Sequence, residues 1–158
     1  MEQDCFICER IDWIKEGTNP YFVAELETGY VVIGDHQYFK GYTLFLCKQH
    51  KTELHFLEEE FKIKYLYEMS KVAEAVYAAF LPDKINYELL GNGDSHIHWH
   101  IFPRRQNDTP QKGPVWWVDK NIMFSEKVKP AEEELTEMKT RLYQELHKRT
   151  PILKKGNL

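Results

Sequence analysis

Three histidines stand at alternate positions in Ser95-His96-Ile97-His98-Trp99-His100-Ile101-Phe102-Pro103-Arg104. An extended strand turns successive side chains to opposite faces. His96, His98 and His100 are therefore predicted on one face, with Ile97, Trp99 and Ile101 on the other. Adjacent rings on that face are spaced ~6–7 Å by the strand rise. Two imidazoles so placed can grip one metal ion or one phosphate group. Imidazole also titrates near neutrality, which suits it to nucleophilic, acid–base or metal-ligand work. A single strand histidine reads as a packing residue. Three at period two, between a Gly-Asn-Gly turn and Pro103-Arg104-Arg105, read as a functional site. Cys5 and Cys8 form a second group, a C-x-x-C whose spacing alone leaves zinc binding, redox chemistry and no role all open.

The elements that must position these groups follow from periodicity and turn residues. Ile7 to Ile14 reads as a short helical or irregular piece ending near Gly17–Pro20. Tyr21–Leu26 and Tyr30–Ile33 read as strands of a hairpin around Glu27-Thr28-Gly29. A loop from Asp35 to Gly41 leads into an apolar strand, Tyr42–Cys47, whose cysteine is expected in the core. Phe61, Tyr65, Met69, Val72, Val76 and Phe80 mark one face of a long amphipathic helix that Pro82 stops. Lys84–Leu90 and the histidine strand, His96–Phe102, should pair across the turn Gly91–Asp94. Residues 103–129 read as a wrapping loop, and Ala131–Lys148 as a final helix with Leu135, Met138, Leu142 and Leu146 on one face. Strands interrupted by one long helix imply an antiparallel α+β fold. No linker or repeat divides the 158 residues, so one domain spanning 1–158 is expected, with its core at about 5–105 and a C-terminal loop and helix at 106–150.

Composition narrows the function classes. Hydrophobic residues make up 42% and charged residues 29%, and the net charge is -4, so no general attraction to a nucleic-acid polymer or an anionic membrane is expected. No apolar run approaches the ~20 residues that span a bilayer. The acidic start, Met1-Glu2-Gln3-Asp4, lacks a signal-peptide pattern, and three cysteines do not make a secreted disulfide framework. A cytoplasmic location is the expectation.

The run His96-Ile97-His98-Trp99-His100-Ile101-Phe102 resembles the H-φ-H-φ-H-φ-φ pattern of the histidine triad (HIT) family at every position. Asp35, Gly41, Leu44–Leu46 and Lys48-Gln49-His50 resemble the family's D…G-H-x-L-V-x-P-K-x-H segment, and Cys5/Cys8 the N-terminal C-x-x-C of many bacterial members. The resemblance implies a five-stranded antiparallel sheet with a long helix and an additional C-terminal helix, and a homodimer. It implies a nucleotide hydrolase or nucleotidyl transferase working at an α-phosphate, similar to diadenosine polyphosphate hydrolases. On the matching positions, His98 becomes the nucleophile and His100 the phosphate partner. Asp35 becomes the ribose ligand, with Asn92 and Ser95 as candidate phosphate contacts. Cys5, Cys8, His50 and His96 become ligands of a structural zinc, and no catalytic metal is expected.

The chain departs from the family in its loop before the triad, which is only Gly91–Ser95. Leaving-group recognition is thereby open between dinucleoside polyphosphates and nucleoside phosphoramidates. Arg104 and Arg105 are alternative phosphate contacts, and Trp116 and Trp117 could close over a base. Two other classes compete. One is a nucleotide-binding sensor or scaffold with little turnover. The other is a His-ligated metalloenzyme, since Gly93-Asp94-Ser95-His96-Ile97-His98 faintly resembles a cupin motif, although cupins are nearly all strand.

Overall fold

A computed structural model describes residues 4–158; Met1–Gln3, part of the acidic start, lie outside the described residues. Helix α1 (Phe6–Glu16) begins where the Cys5 sulfur accepts a hydrogen bond from the Cys8 backbone N–H. It ends at Gly17, whose φ of 78° closes the helix in the left-handed region that glycine enters without strain. Strands β1 (Phe22–Glu25) and β2 (Gly29–Ile33) then form the expected hairpin. Strand β3 (Thr43–Cys47) pairs with β2, and helix α2 (Glu59–Phe80) follows. Strands β4 (Lys84–Glu88) and β5 (His98–Arg104) pair across the Gly91–Asp94 turn as predicted. Helices α3 (Lys120–Met123) and α4 (Glu132–His147) precede a short β6 (Lys154–Lys155).

The sheet is antiparallel throughout, in the order β4-β5-β3-β2-β1-β6. Among the described residues it therefore has six strands where five were expected, because the C-terminal segment adds β6 beside β1. Opposed residues on paired strands share a face, so the register sorts the two sides of the sheet. One row runs Tyr30–Leu46–His98 and the next Val32–Leu44–His100–Glu88. Helix α1 covers the left part of that face through Ile7, Ile11 and Ile14, which pack with Phe22, Tyr30, Val32 and Leu46. The opposite face carries Val31, Phe45, Ile97, Trp99 and Ile101 against Val72 and Val76 of α2 and Leu142 and Leu146 of α4. The alternation read from the sequence holds from His98 onward, where His98 and His100 face the site and Trp99 and Ile101 the main core, but not for His96, which precedes the strand.

Two tight approaches fix the strands that carry the histidines. A Cβ on Gly29 would lie 2.5 Å from the Leu46 carbonyl oxygen, so only glycine lets β2 lie this close to β3. The buried Glu68 carboxylate of α2 accepts hydrogen bonds from the backbone N–H groups of Glu27 and Thr28 at 3.1 and 2.8 Å, tying the long helix to the first hairpin.

Strand β5 begins two residues later than predicted and runs two residues further, through Pro103. Proline is tolerated there because β3 pairs with β5 only as far as Ile101, leaving β4 as the sole partner at that point. Residues beyond Arg104 are also more structured than a wrapping loop. They contain turns of 3-10 helix at Val115–Trp117 and Glu126–Val128 around α3, and bury Val115, Val118 and Met123 against Phe39 and Phe102.

Candidate active site and metal centre

His96 lies in the bend before β5, not in the strand, and its ring turns away from His98 toward the N-terminus. Its Nε2 is 2.8 Å from the Cys47 carbonyl oxygen, which only a protonated Nε2 can use as a hydrogen bond. That leaves the Nδ1 lone pair pointing at Cys5 Sγ (3.5 Å), Cys8 Sγ (3.4 Å) and His50 Nδ1 (3.2 Å). Cys8 Sγ is also 3.3 Å from His50 Nδ1, and all four donor atoms lie within 4.8 Å of one another. A tetrahedral zinc ion with bonds of about 2.0–2.3 Å requires donor separations of roughly 3.3–3.8 Å. Two thiols and two imidazoles at these distances fit a Cys2His2 zinc ion. The Cys47 carbonyl fixes the His96 tautomer, and the Cys8 N–H supports the Cys5 sulfur, the usual outer contacts of such a site. The centre is structural: it ties α1, the segment after β3 and the start of β5 together.

His98 and His100 remain on the strand, their ring centroids 4.7 Å apart, closer than the strand repeat because the rings lean together. They are held in opposite senses. His98 Nδ1 lies 2.7 Å from the His96 carbonyl oxygen, so Nδ1 carries the proton and Nε2 presents a lone pair. His100 Nδ1 lies 2.6 Å from the Tyr42 hydroxyl. Burial, with the charges of Asp35 and Glu88 adding to it, pushes the Tyr42 phenol well above its ordinary value, so Tyr42 keeps its proton, and the acceptor that geometry offers that O–H is His100 Nδ1. Burial, and then the neighbouring His98, lowers His100 to about 4, so its ring is neutral at pH 7. A neutral ring that accepts at Nδ1 must carry its proton on Nε2. One ring thus offers an electron pair and its neighbour an N–H, side by side.

The other predicted residues are placed unequally. Asp35, just past β2, is held by Arg10 of α1 through two hydrogen bonds of 2.8 and 2.5 Å. Ser95 is exposed and shares the lining of a cavity of about 100 Å³ with His96 and His98, whereas Asn92 is exposed in the turn and does not line it. Arg104 is committed to Asp108, Asn86 and the Gly113 carbonyl. Arg105 binds the carbonyls of Lys40 and Phe80. Trp116 stands perpendicular to His100 at 6.0 Å and donates its indole N–H to Glu88 at 2.9 Å. Trp117 is exposed, His36 packs against Phe124 and His55 against Phe56. Cys47 is buried and its thiol is pushed up to about 11 by that burial.

Sequence reasoning missed Tyr42, Arg10 and Glu88. Tyr42 follows Gly41 where the family pattern places histidine, and that one-residue departure was the available signal. Arg10 and Glu88 carry no local signal, since their partners lie 25 and 28 residues away.

A family model for the HIT domain matches residues 21–107, more than half of the chain. No curated protein sequence matches it. Among solved structures, a histidine triad protein from Marinobacter aquaeolei superposes with a TM-score of 0.70 at 23% identity, over 82% of this chain and 92% of that one. One from Bradyrhizobium japonicum gives 0.69 at 22%, over 84% and 93%. A zinc-bound histidine triad family protein from Mycobacterium smegmatis gives 0.61 at 21%, over 91% and 96%. These likenesses share the α+β fold described above, and with the triad, its register and the family match they lead to one conclusion: the chain belongs to the HIT domain family.

Proposed function

We propose that the chain is a nucleotide hydrolase or nucleotidyl transferase that cleaves at an α-phosphate through a covalent nucleotidyl-His98 intermediate. The observation that carries this reading is the pair of contacts that set the two rings in opposite senses, His98 Nδ1 on the His96 carbonyl and His100 Nδ1 on the Tyr42 hydroxyl. The His98 Nε2 lone pair is suited to attack phosphorus, and the His100 Nε2–H to hold a phosphoryl oxygen as charge develops on it. In the first step Nε2 of His98 forms an N–P bond while the bond to the leaving group breaks, and the leaving group departs with its electron pair. In the second step water attacks phosphorus, the P–N bond breaks and its electron pair returns to His98. The nucleoside monophosphate and a proton are released. Substrates of this kind are dinucleoside polyphosphates and nucleoside phosphoramidates.

Asp35 follows β2, on the β2–β3 side of the histidines, and in this reading it accepts from ribose hydroxyls while sharing its oxygens with Arg10. Ser95, which lines the same cavity as His98, is the better of the two loop candidates for a phosphate contact, since Asn92 does not line it. When bound, zinc supplies structure rather than chemistry in this reading, because its four ligands leave no open position.

The chain works as a homodimer. Among the described residues β4 lies at one end of the sheet with its outer edge unpaired, and a groove of about 1100 Å³ is lined by β4 and by the segment that follows β5. A cytoplasmic location suits thiol ligands that must stay reduced. No helix among the described residues is long and apolar enough to cross a membrane.

The test is turnover of diadenosine tetraphosphate and an adenosine phosphoramidate by the wild type and by His98→Ala. Loss of turnover and of the acid-labile protein–nucleotide adduct in the variant is expected. Near-normal turnover by His98→Ala would remove the assignment.

A further inference from the structure

Helix α1 lies before residues 21–107, the part of the chain matched by the HIT domain model, and it brings a cation to Asp35. Arg10 meets that carboxylate fork to fork: Nη1 donates to Oδ1 at 2.8 Å and Nη2 to Oδ2 at 2.5 Å. The pair is largely withdrawn from water, with 15% and 25% of the two side chains exposed. The Phe6 ring, one helical turn back, covers the guanidinium with its centre 4.5 Å away. The Arg10 carbonyl accepts the Asn19 side-chain N–H at 3.2 Å, and Ile7, Ile11 and Ile14 bury the inner face of the helix. Arg10 is thus fixed in place, and separating a pair this buried would leave two uncompensated charges.

The pair stands beside the histidines. Gly34, just before Asp35, packs so closely on the Tyr42 ring that a Cβ there would fall 2.3 Å from it. Tyr42 in turn holds His100. Both charges are felt at the Tyr42 hydroxyl, which Asp35 pushes up and Arg10 pulls down. Lys129 and Glu126 also lie nearby, and with Asp35 and Arg10 they act on Tyr21. Those two are exposed and bonded to each other at 3.0 Å, so the direct partner of Asp35 is Arg10.

A carboxylate offers two lone pairs on each oxygen. The fork takes one on each, the two that point the same way. Those left diverge toward opposite ends of the group. The hydroxyls of a ribose diol stand side by side and match the parallel lone pairs, which Arg10 already fills. A diverging lone pair receives one hydroxyl and leaves the other out of reach.

We propose that Arg10 determines the sugar specificity of the site: it makes Asp35 a ligand for a single ribose hydroxyl, so that one of the two monodeoxynucleotides binds as well as the ribonucleotide. The proposal rests on the reading above, in which Asp35 accepts from ribose, and narrows what that carboxylate recognises. Arg10 touches no reacting atom; it is a positioning residue that acts through Asp35. Its charge also offsets that of Asp35, so an anionic nucleotide approaches a pair close to neutral.

The experiment measures calorimetric affinities of adenosine 5′-monophosphate and its 2′-deoxy and 3′-deoxy analogues for the wild type, Arg10→Met and Arg10→Lys. Equal zinc content in the three proteins reports that the start of α1 is in place. In the wild type one deoxy analogue should bind within about threefold of the ribonucleotide. The other should bind roughly tenfold more weakly, the size of a hydrogen bond to a charged group. Arg10→Met frees the parallel lone pairs, so the tolerated analogue should now also fall roughly tenfold behind the ribonucleotide. Arg10→Lys keeps the charge but not the fork, and should lie between. Lost charge balance, or a purely structural role, weakens all three nucleotides by a common factor and leaves the ratios in place. A wild type that penalises both analogues by more than about threefold reads the diol, which overturns the proposal and leaves Asp35 as the ribose ligand. A ratio for the tolerated analogue that moves less than about threefold in Arg10→Met overturns it too. Should that variant not fold, the same criterion applies to Arg10→Lys. A wild type that penalises neither analogue removes Asp35 from ribose recognition, and the proposal with it. If the wild type does not bind the ribonucleotide, the nucleotide reading itself fails and takes the proposal with it.

Discussion

At the residue scale, the two central histidines differ only in what holds Nδ1, and that difference makes them chemically opposite. A backbone carbonyl fixes His98, and no substitution of a side chain removes it. His100 depends on a single hydroxyl, that of Tyr42, whose ring also stacks on Phe102 at 4.1 Å. Tyr42→Phe keeps the stack and removes the donor, freeing His100 to take the other tautomer and withdraw its Nε2–H from the phosphate. The expected result is a fall in kcat of about tenfold or more with little change in KM, because the lost contact matters most as charge develops. Steady-state kinetics on either nucleotide checks it. The lowered His100 value also has a consequence for stability. Its folded value of about 4 lies below the ordinary 6.5, so between those pH values the unfolded chain binds more proton. Stability from this group is therefore present above pH 6.5 and lost as pH falls through 4, by about 3 kcal/mol in all. Urea denaturation at pH 7 and pH 4.5 should show a smaller acid loss in His100→Asn than in the wild type. The metal centre is common to both proteins and cancels in that comparison.

At the element scale, α1 is held at three points: the metal ligands at its start, Arg10 on Asp35 in its middle, and Ile7, Ile11 and Ile14 along its inner face. Removing zinc releases the first and leaves the others. With zinc at roughly a hundred times its Kd the ion stabilises the fold by about 3 kcal/mol, so chelation should lower Tm by roughly 6–12 °C for a chain of this size. Cys8→Ser should melt at the chelated temperature and gain nothing from added zinc, as scanning calorimetry and metal analysis together would show. The elements also show what was legible beforehand. Both hairpins could be read because Glu27-Thr28-Gly29 and Gly91–Asp94 carry turn chemistry between alternating strands, and α2 because its apolar period runs to Pro82. Strand β6 could not be read: Lys154-Lys155 has no apolar pattern, and only the nearby edge of β1 makes it a strand. Tyr42 was hidden for the opposite reason, since an aromatic at the head of an apolar strand reads as packing. The metal ligands were visible as residue types but not as a set, because convergence of positions 5, 8, 50 and 96 is a property of the fold. Here the family resemblance supplied what spacing could not.

At the scale of the whole molecule, the sheet has two ends that are treated differently. At one end β6 covers β1: Leu153 and Gly156 donate to the Glu25 and Val23 carbonyls at 2.8 and 2.9 Å, while Ile152 packs on the core. Gly156 is required there, since a Cβ would fall 2.2 Å from the Phe22 carbonyl oxygen. The two exposed lysines of β6, one of them resting its ammonium over the Tyr143 ring, then discourage any further strand from adding, a common protection of sheet edges. At the other end β4 keeps its outer edge unpaired among the described residues. One protected and one open edge would suit the proposed homodimer if it closes as a two-fold pair through β4. Deleting residues 151–158 would open the second edge and expose the donors and acceptors of Val23–Glu25. The truncated chain should lose stability and form species larger than the full-length protein, growing with concentration, because two open edges permit sheet extension without closure. Light scattering coupled to size-exclusion chromatography over a range of loading concentrations measures this directly. A truncated protein that keeps the association state of the full chain at every concentration would show that β6 has no protective role.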